Sequence, residues 1–148
     1  MCLGSGMFAE MAEPLIYVDV AEVRPGVLAD LKEAIAELAE FIEENEPKLL
    51  SYSAYFSDDG IYMSVVHVHA DPASLDRHLE IAGPRFARFA ELVTLRSIQI
   101  YGRPSENALR QLRAKLQLLG SGAVVVYPPH AGFVRSHRID ESLAERSC

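Results

Sequence analysis

The chain has 148 residues, 49% of them hydrophobic and 24% charged, a composition typical of one globular domain rather than a disordered chain. Its 14 basic and 21 acidic residues give a net charge of −7, which disfavours binding to nucleic acid. No apolar run approaches the roughly 20 residues that cross a bilayer, and the start does not resemble a secretory signal. Cys2 and Cys148 stand near opposite ends of the chain, which predicts incidental thiols in the cytoplasm rather than a structural disulfide.

Apolar periodicity predicts a β-α-β-β-α-β order of elements. Alternating residues indicate strands over 14–22, 49–57, 61–70 and 94–102. A helical stripe indicates a helix over 27–44, and a second helix begins after Asp71-Pro72, with an interruption at Gly83-Pro84. This order is that of a ferredoxin-like α+β fold, in which two helices cover one face of a four-stranded antiparallel sheet.

The rest of the chain extends this unit. Ser105 is expected to cap a helix that runs to Leu119, and Gly120-Ser121-Gly122 leads into a short strand over 123–127. The predicted organisation is therefore a disordered leader (1–13), a ferredoxin-like domain (14–102), a helix-strand extension of the same domain (103–135) and a flexible tail (136–148).

The two faces of the predicted sheet differ in polarity. If the most apolar face of each strand meets the helices, Val18, Val66 and Ile98 point toward them. The opposite face is too apolar for water and too polar for a dry core, and a second copy of the sheet is its simplest cover. We therefore expect a homodimer with a lumen that suits a small organic ligand. A register slip of one residue would reverse this assignment. The side chains expected in the lumen are Tyr17, Asp19, Tyr55, Met63, His67, His69, Gln99 and Tyr101.

The sequence His67-Val68-His69 places two imidazoles on one face of a strand. Such a pair can share a metal ion, and Asp19 or His78 would be a third ligand. The same pair can act in acid–base catalysis or simply fill a pocket wall. No metal or cofactor is predicted, because nothing in the sequence brings the third ligand to the pair.

The segment 66–89 carries a resemblance to a known family. Its strand leads through Asp71-Pro72 into a helix that contains His78, and Gly83 and Phe86 follow. With the order of elements over 14–102, this segment resembles the dimeric α/β-barrel superfamily and, within it, the antibiotic-biosynthesis-monooxygenase-like group. The resemblance implies a homodimer with a cavity in each subunit. Some members oxidise phenolic polycyclic compounds with O₂ and no cofactor, while haem-degrading members rely on a tryptophan, which this chain lacks.

The function hypothesis that follows is a cofactor-independent monooxygenase acting on a small hydroxylated aromatic or polyketide-like compound. His67 or His69 would be the base and Asp19 would orient or replace it. The alternative is a non-catalytic ligand- or partner-binding module, and an isomerase or lyase is a third hypothesis. The residues expected to contact the substrate are Tyr17, Tyr55, Met63, His78, Gln99 and Tyr101.

Overall fold

The computed structural model describes residues 13–135, and the structural statements below concern that part of the chain. The predicted β-α-β-β-α-β order is confirmed, and the predicted strand ends differ from the observed ones by at most one residue in the first four strands. The predicted leader, except Glu13, and the predicted tail lie outside the described residues, as do both cysteines. The elements are β1 Leu15–Val23, α1 Leu28–Asn45, β2 Leu49–Phe56, β3 Tyr62–His69, α2 Pro72–Ala82, a 3₁₀ helix Gly83–Glu91, β4 Val93–Tyr101, α3 Glu106–Leu119 and β5 Gly120–Tyr127.

The sheet has five strands in the order β2-β3-β1-β4-β5. The first four are antiparallel, and β5 joins the edge by pairing in parallel with β4. The strand predicted over 123–127 thus begins three residues earlier and belongs to the same sheet. Glycine permits this, because a Cβ on Gly120 or Gly122 would lie 2.1 Å from a β4 carbonyl oxygen.

Both predicted helix caps are confirmed. The Asp71 carboxylate accepts a hydrogen bond from the Ser74 amide at 2.9 Å, and Pro72 occupies the first turn of α2. The Ser105 hydroxyl accepts one from the Ala108 amide at 3.0 Å at the start of α3. These caps fix where α2 and α3 begin.

The prediction of which sheet face meets the helices is wrong for β1 and β3. Tyr17, Asp19, His67 and His69 are buried against the helices, whereas Val18 lies on the other face and is only half-buried. The prediction failed because both faces of these strands carry apolar residues, so average polarity does not distinguish them. The polar side chains are tolerated inside because they find partners there.

The prediction holds for the end of β4, where Ile98 and Ile100 are buried against the helices. Leu95, expected on the opposite face, is buried beside them because the pairing of β1 with β4 shifts register and leaves Arg96 without a partner in β1. The face away from the helices is partly exposed, with Tyr55 and Tyr101 among its exposed side chains. Within residues 13–135, no helix is long and apolar enough to cross a membrane.

Candidate functional site

A layer of polar side chains is buried between the sheet and the helices. Taking so many polar groups out of water destabilises a fold unless they bind one another, so the arrangement of their partners is informative. We call this group the buried polar layer, and its members are Tyr17, Asp19, Glu46, Tyr52, His67, His69, Ser74, His78 and Lys115.

Lys115 links α3 to β1 within this layer. Its Nζ donates hydrogen bonds to the Tyr17 hydroxyl at 2.5 Å and to Asp19 Oδ2 at 3.2 Å. The ammonium also lies 4.2 Å from the centroid of the Phe86 ring, a cation–π contact. The Lys115 and Asp19 side chains are both more than nine-tenths buried, so solvent screens their ion pair weakly. We refer to Tyr17, Asp19 and Lys115 as the Lys115 cluster.

Tyr17 joins this cluster to the histidines. Its ring stacks on that of His67 at a centroid distance of 4.0 Å with an interplanar angle of 10°. Burial, followed by the nearby Asp19 carboxylate, raises the pKa of the Tyr17 hydroxyl well above its usual value. Tyr17 is therefore a neutral phenol that can donate a hydrogen bond.

The hydrogen bonds of His67 and His69 assign their tautomers. His67 Nδ1–H donates to the Tyr17 backbone carbonyl at 2.8 Å, since a carbonyl oxygen only accepts. The Ser74 hydroxyl gives its proton to the Lys48 carbonyl at 3.0 Å, so it accepts from His69 Nδ1–H at 2.8 Å. Both rings are thus anchored through Nδ1, and the lone pair of the neutral ring is on Nε2.

The pKa values of both imidazoles are lowered. Burial is the main cause for His67, whose pKa falls well below its usual value with further contributions from His78 and Lys115. Burial, followed by His78, lowers the pKa of His69 to about 3. Both rings are neutral near pH 7 and accept a proton weakly, which limits their value as general bases.

His78 extends the layer toward α1 and β2. Its Nδ1–H lies 3.1 Å from both carboxylate oxygens of Glu46, and the pair is almost fully buried. Its ring centroid is 5.1 Å from that of His67 and 5.6 Å from that of His69. His69 Nε2 and His78 Nε2 have no hydrogen-bond partner among the described residues. Within residues 13–135, no three His, Cys, Asp or Glu side chains are placed to hold a metal ion together.

A small cavity adjoins the Lys115 cluster between the sheet and the helices. The space open to the centre of a water molecule is about 40 Å³, which holds roughly three waters at 10–15 Å³ each. Asp19 and Lys115 are the charged residues of its wall, and Tyr52 adds a phenol whose pKa is raised mainly by burial. The apolar wall consists of Ala21, Ile35, Leu38, Met63, Val65, Phe86, Phe89, Val93, Leu95 and Leu119.

The structure separates the predicted site residues into two groups. Six lie on the helix side of the sheet, and of these Asp19 and Met63 line the cavity. The other three lie on the opposite face, where the Tyr101 hydroxyl donates to Gln99 Oε1 at 3.3 Å. The helix-side group is Tyr17, Asp19, Met63, His67, His69 and His78, and the opposite-face group is Tyr55, Gln99 and Tyr101.

Sequence reasoning missed Lys115, Glu46, Tyr52 and Ser74 as members of the layer. Lys115 had a visible signal, because it lies within the apolar stripe of α3, three residues after Leu112 and four before Leu119. A lysine at such a position is either a long side chain that reaches the surface or a buried cation with a partner. Glu46 and Ser74 carried no comparable signal, since each follows or begins a helix where polar residues are ordinary.

Comparison with known proteins identifies the fold. No family model matches the sequence, and no curated protein is significantly similar to it. The solved structure of MupZ from Pseudomonas fluorescens is similar over 83% of this chain and 95% of that chain, with a TM-score of 0.65 and 20% identity. PA3566 from Pseudomonas aeruginosa is similar over 64% and 98%, with a TM-score of 0.54 and 23% identity.

A third structure is that of SnoaB from Streptomyces nogalater, which is described as a cofactor-independent oxygenase. It is similar over 64% of this chain and 96% of that chain, with a TM-score of 0.54 and 18% identity. At these identities the likeness shows the fold alone. The chain has the ferredoxin-like α+β fold of these proteins, as the resemblance to antibiotic-biosynthesis-monooxygenase-like proteins implied.

Proposed function

We propose that this protein binds a small organic molecule in the cavity and transforms it by general acid–base catalysis, as a cofactor-independent monooxygenase of hydroxylated aromatic or polyketide-like compounds. The observation that carries the proposal is the position of the Lys115 cluster. A carboxylate and an ammonium meet at the wall of an otherwise apolar cavity, and the neutral phenol of Tyr17 accepts a hydrogen bond from the ammonium behind that wall. Such convergence of ionisable groups in a cavity is typical of active sites.

In this proposal Asp19 is the general base. Its carboxylate lines the cavity, whereas neither His67 nor His69 does. The histidines are anchored through Nδ1 and have lowered pKa values, which suits them to position Tyr17 and to fill the layer behind it. The sequence-based assignment of a histidine as base is thus replaced here by Asp19, with Tyr17 and Lys115 as its partners.

The chemistry follows from these roles. Asp19 removes a proton from a phenol or an activated carbon, and Lys115 stabilises the negative charge on the substrate oxygen, while the Tyr17 hydroxyl helps to hold the ammonium in place. The apolar wall excludes water and strengthens these interactions. The resulting carbanion is oxidised by O₂. One oxygen atom forms the new carbonyl of the product, and the other leaves as water with the two hydrogens lost from that carbon.

The small size of the cavity favours a second candidate, a non-catalytic binding module. Ligand pockets usually measure about 300–1,000 Å³, and this cavity offers space for water-sized molecules alone unless side chains move. A buried ion pair can also be structural. The two candidates differ in whether substrate turnover depends on Asp19.

Asp19→Asn tests the choice between them. We expect at least a hundredfold loss of O₂ uptake with a hydroxylated anthrone as the probe, since the amide cannot accept the proton, while thermal melting shows that the fold persists. Tyr55→Phe, on the other sheet face, is the control and keeps its activity. Binding of the anthrone without any O₂ uptake by the wild-type protein would instead favour the binding module.

A further inference from the structure

Most of the side chains that line the cavity are buried and its open space is small, so a molecule larger than water needs a route inward. A groove on the protein surface nearby has about 400 Å³ open to the centre of a water molecule, compared with about 40 Å³ in the cavity. This groove runs between α2, the 3₁₀ helix and α3, and we call it the outer groove. Its wall includes Leu79, Pro84, Ala114 and Leu118.

Two side chains separate the outer groove from the cavity. Among the described residues, Phe86 and Lys115 alone line both spaces. Phe86 is about 8% exposed, and its ring lies against the Lys115 ammonium at 4.2 Å. A rotation of one aromatic ring would therefore join the groove to the cavity, and it would uncover the ammonium at the point where the two meet.

A second groove reaches the cavity wall from the α1 side, where Leu38 and Phe89 are shared. Two side-chain contacts join the 3₁₀ helix to α1 on that side. Arg88 donates to the Glu37 carboxylate at 2.9 Å, and the Arg85 guanidinium lies 3.6 Å from the centroid of the Phe41 ring. Opening on the α1 side would break both contacts, whereas rotation of the Phe86 ring on the α2–α3 side breaks its cation–π contact with Lys115.

The local backbone suits such movement. The 3₁₀ helix has nine residues, longer than the three or four that this weakly hydrogen-bonded helix usually spans, and such stretches often mark hinges. It joins α2 at Gly83-Pro84, where the proline lacks an amide hydrogen and restricts the residue before it. The segment that carries Phe86 is thus less firmly bonded than the helices on either side.

We propose that Phe86 and Lys115 form the gate through which molecules pass from the outer groove to the cavity, and that Phe86 sets the size of the molecules admitted. The molecules that fit this gate have an apolar body and a leading hydroxyl, carbonyl or carboxylate oxygen. The oxygen takes a hydrogen bond from Lys115 as the Phe86 ring moves away. The proposal that the gate admits substrate rests on the proposed function. The location of the gate rests only on the residues that line the groove and the cavity.

A thiol placed inside the cavity tests this location directly. Met63 lines the cavity and is about 4% exposed, so Met63→Cys in a background with Cys2→Ser and Cys148→Ser reports access to alkylating reagents. We expect Phe86→Ala to accelerate reaction with N-ethylmaleimide at least tenfold, and the smaller Phe86→Leu change to accelerate it less. Leu112→Ala is the control, because it truncates a fully buried side chain of α3 that lines neither the cavity nor the outer groove.

A variant that blocks the outer groove should slow the alkylation of the cavity thiol instead of accelerating it. Ala114 is an exposed residue of the outer groove, and Ala114→Trp fills that groove without touching the core, so labelling is expected to slow at least threefold. Equal acceleration by Leu112→Ala and Phe86→Ala, or unchanged labelling in Ala114→Trp, would overturn the gate. The readout does not use turnover, so loss of the proposed oxygenase function would leave these results unaffected.

Discussion

At the scale of single residues, the buried histidines make stability depend on pH. The pKa of His69 is lowered to about 3 in the folded chain, against about 6.5 when unfolded, so below pH 6.5 the unfolded state binds protons that the folded state does not. Stability is then complete above pH 6.5 and falls as the pH decreases toward 3, by about 1.4 kcal/mol per pH unit for each such histidine. His67 acts in the same direction.

His69→Asn isolates this effect, because asparagine keeps a donor for Ser74 and removes the titrating ring. Urea unfolding at pH 7, 6 and 5 should show a loss of unfolding free energy between pH 7 and pH 5 that is about 2 kcal/mol smaller than in the wild type. The exposed His130 supplies the control, since His130→Asn is expected to change nothing. An unchanged slope in His69→Asn would mean that His69 is not held neutral by the fold.

At the scale of elements, β5 depends on glycine. A Cβ on Gly122 would lie 2.1 Å from the Arg96 carbonyl oxygen, and its φ of +122° is unfavourable for other residues. Gly122→Ala is expected to cost more than about 3 kcal/mol of unfolding free energy, measured by chemical denaturation, and to expose the β4 amides that face β5 to hydrogen exchange. Gly132→Ala separates the two causes, because Gly132 has a φ of +138° but no atom near its Cβ. Equal losses in both variants would contradict the steric argument.

The sequence was sufficient to predict the elements but not their inward faces. Caps such as Asp71 and Ser105 are local signals, and they were located correctly because the bonds they make lie within three residues. Which face of β1 turns inward depends on partners distant in sequence, since Asp19 is buried only because Lys115 reaches it from α3. The site was therefore half predictable: the histidines stood out as residues, but their place relative to the cavity did not.

At the scale of the whole molecule, the sheet face away from the helices suggests what covers it. Across its centre run Val66, Val18 and Gln99 on adjacent strands, and Tyr55 and Tyr101 lie on the same face. Half-buried valines beside exposed tyrosines form an apolar patch of the kind that marks an interaction surface, and tyrosine is enriched at interfaces. We expect this face to pair with a second copy, as the proposed homodimer requires, and each cavity then lies within one subunit rather than between the two.

Val18→Lys tests this pairing at its centre. Because Val18 points away from the helices, the subunit should still fold, whereas two buried ammonium groups per dimer, with no partner, should weaken association about a hundredfold or more. Sedimentation velocity at micromolar concentration should show the wild type at twice 16.4 kDa and the variant at 16.4 kDa. Gln117→Lys, which adds the same charge on the exposed side of α3, should remain dimeric. A wild-type protein that sediments as a monomer would contradict the expectation that a second copy covers this face. The proposals for the cavity and its gate would be unaffected, because both belong to one subunit.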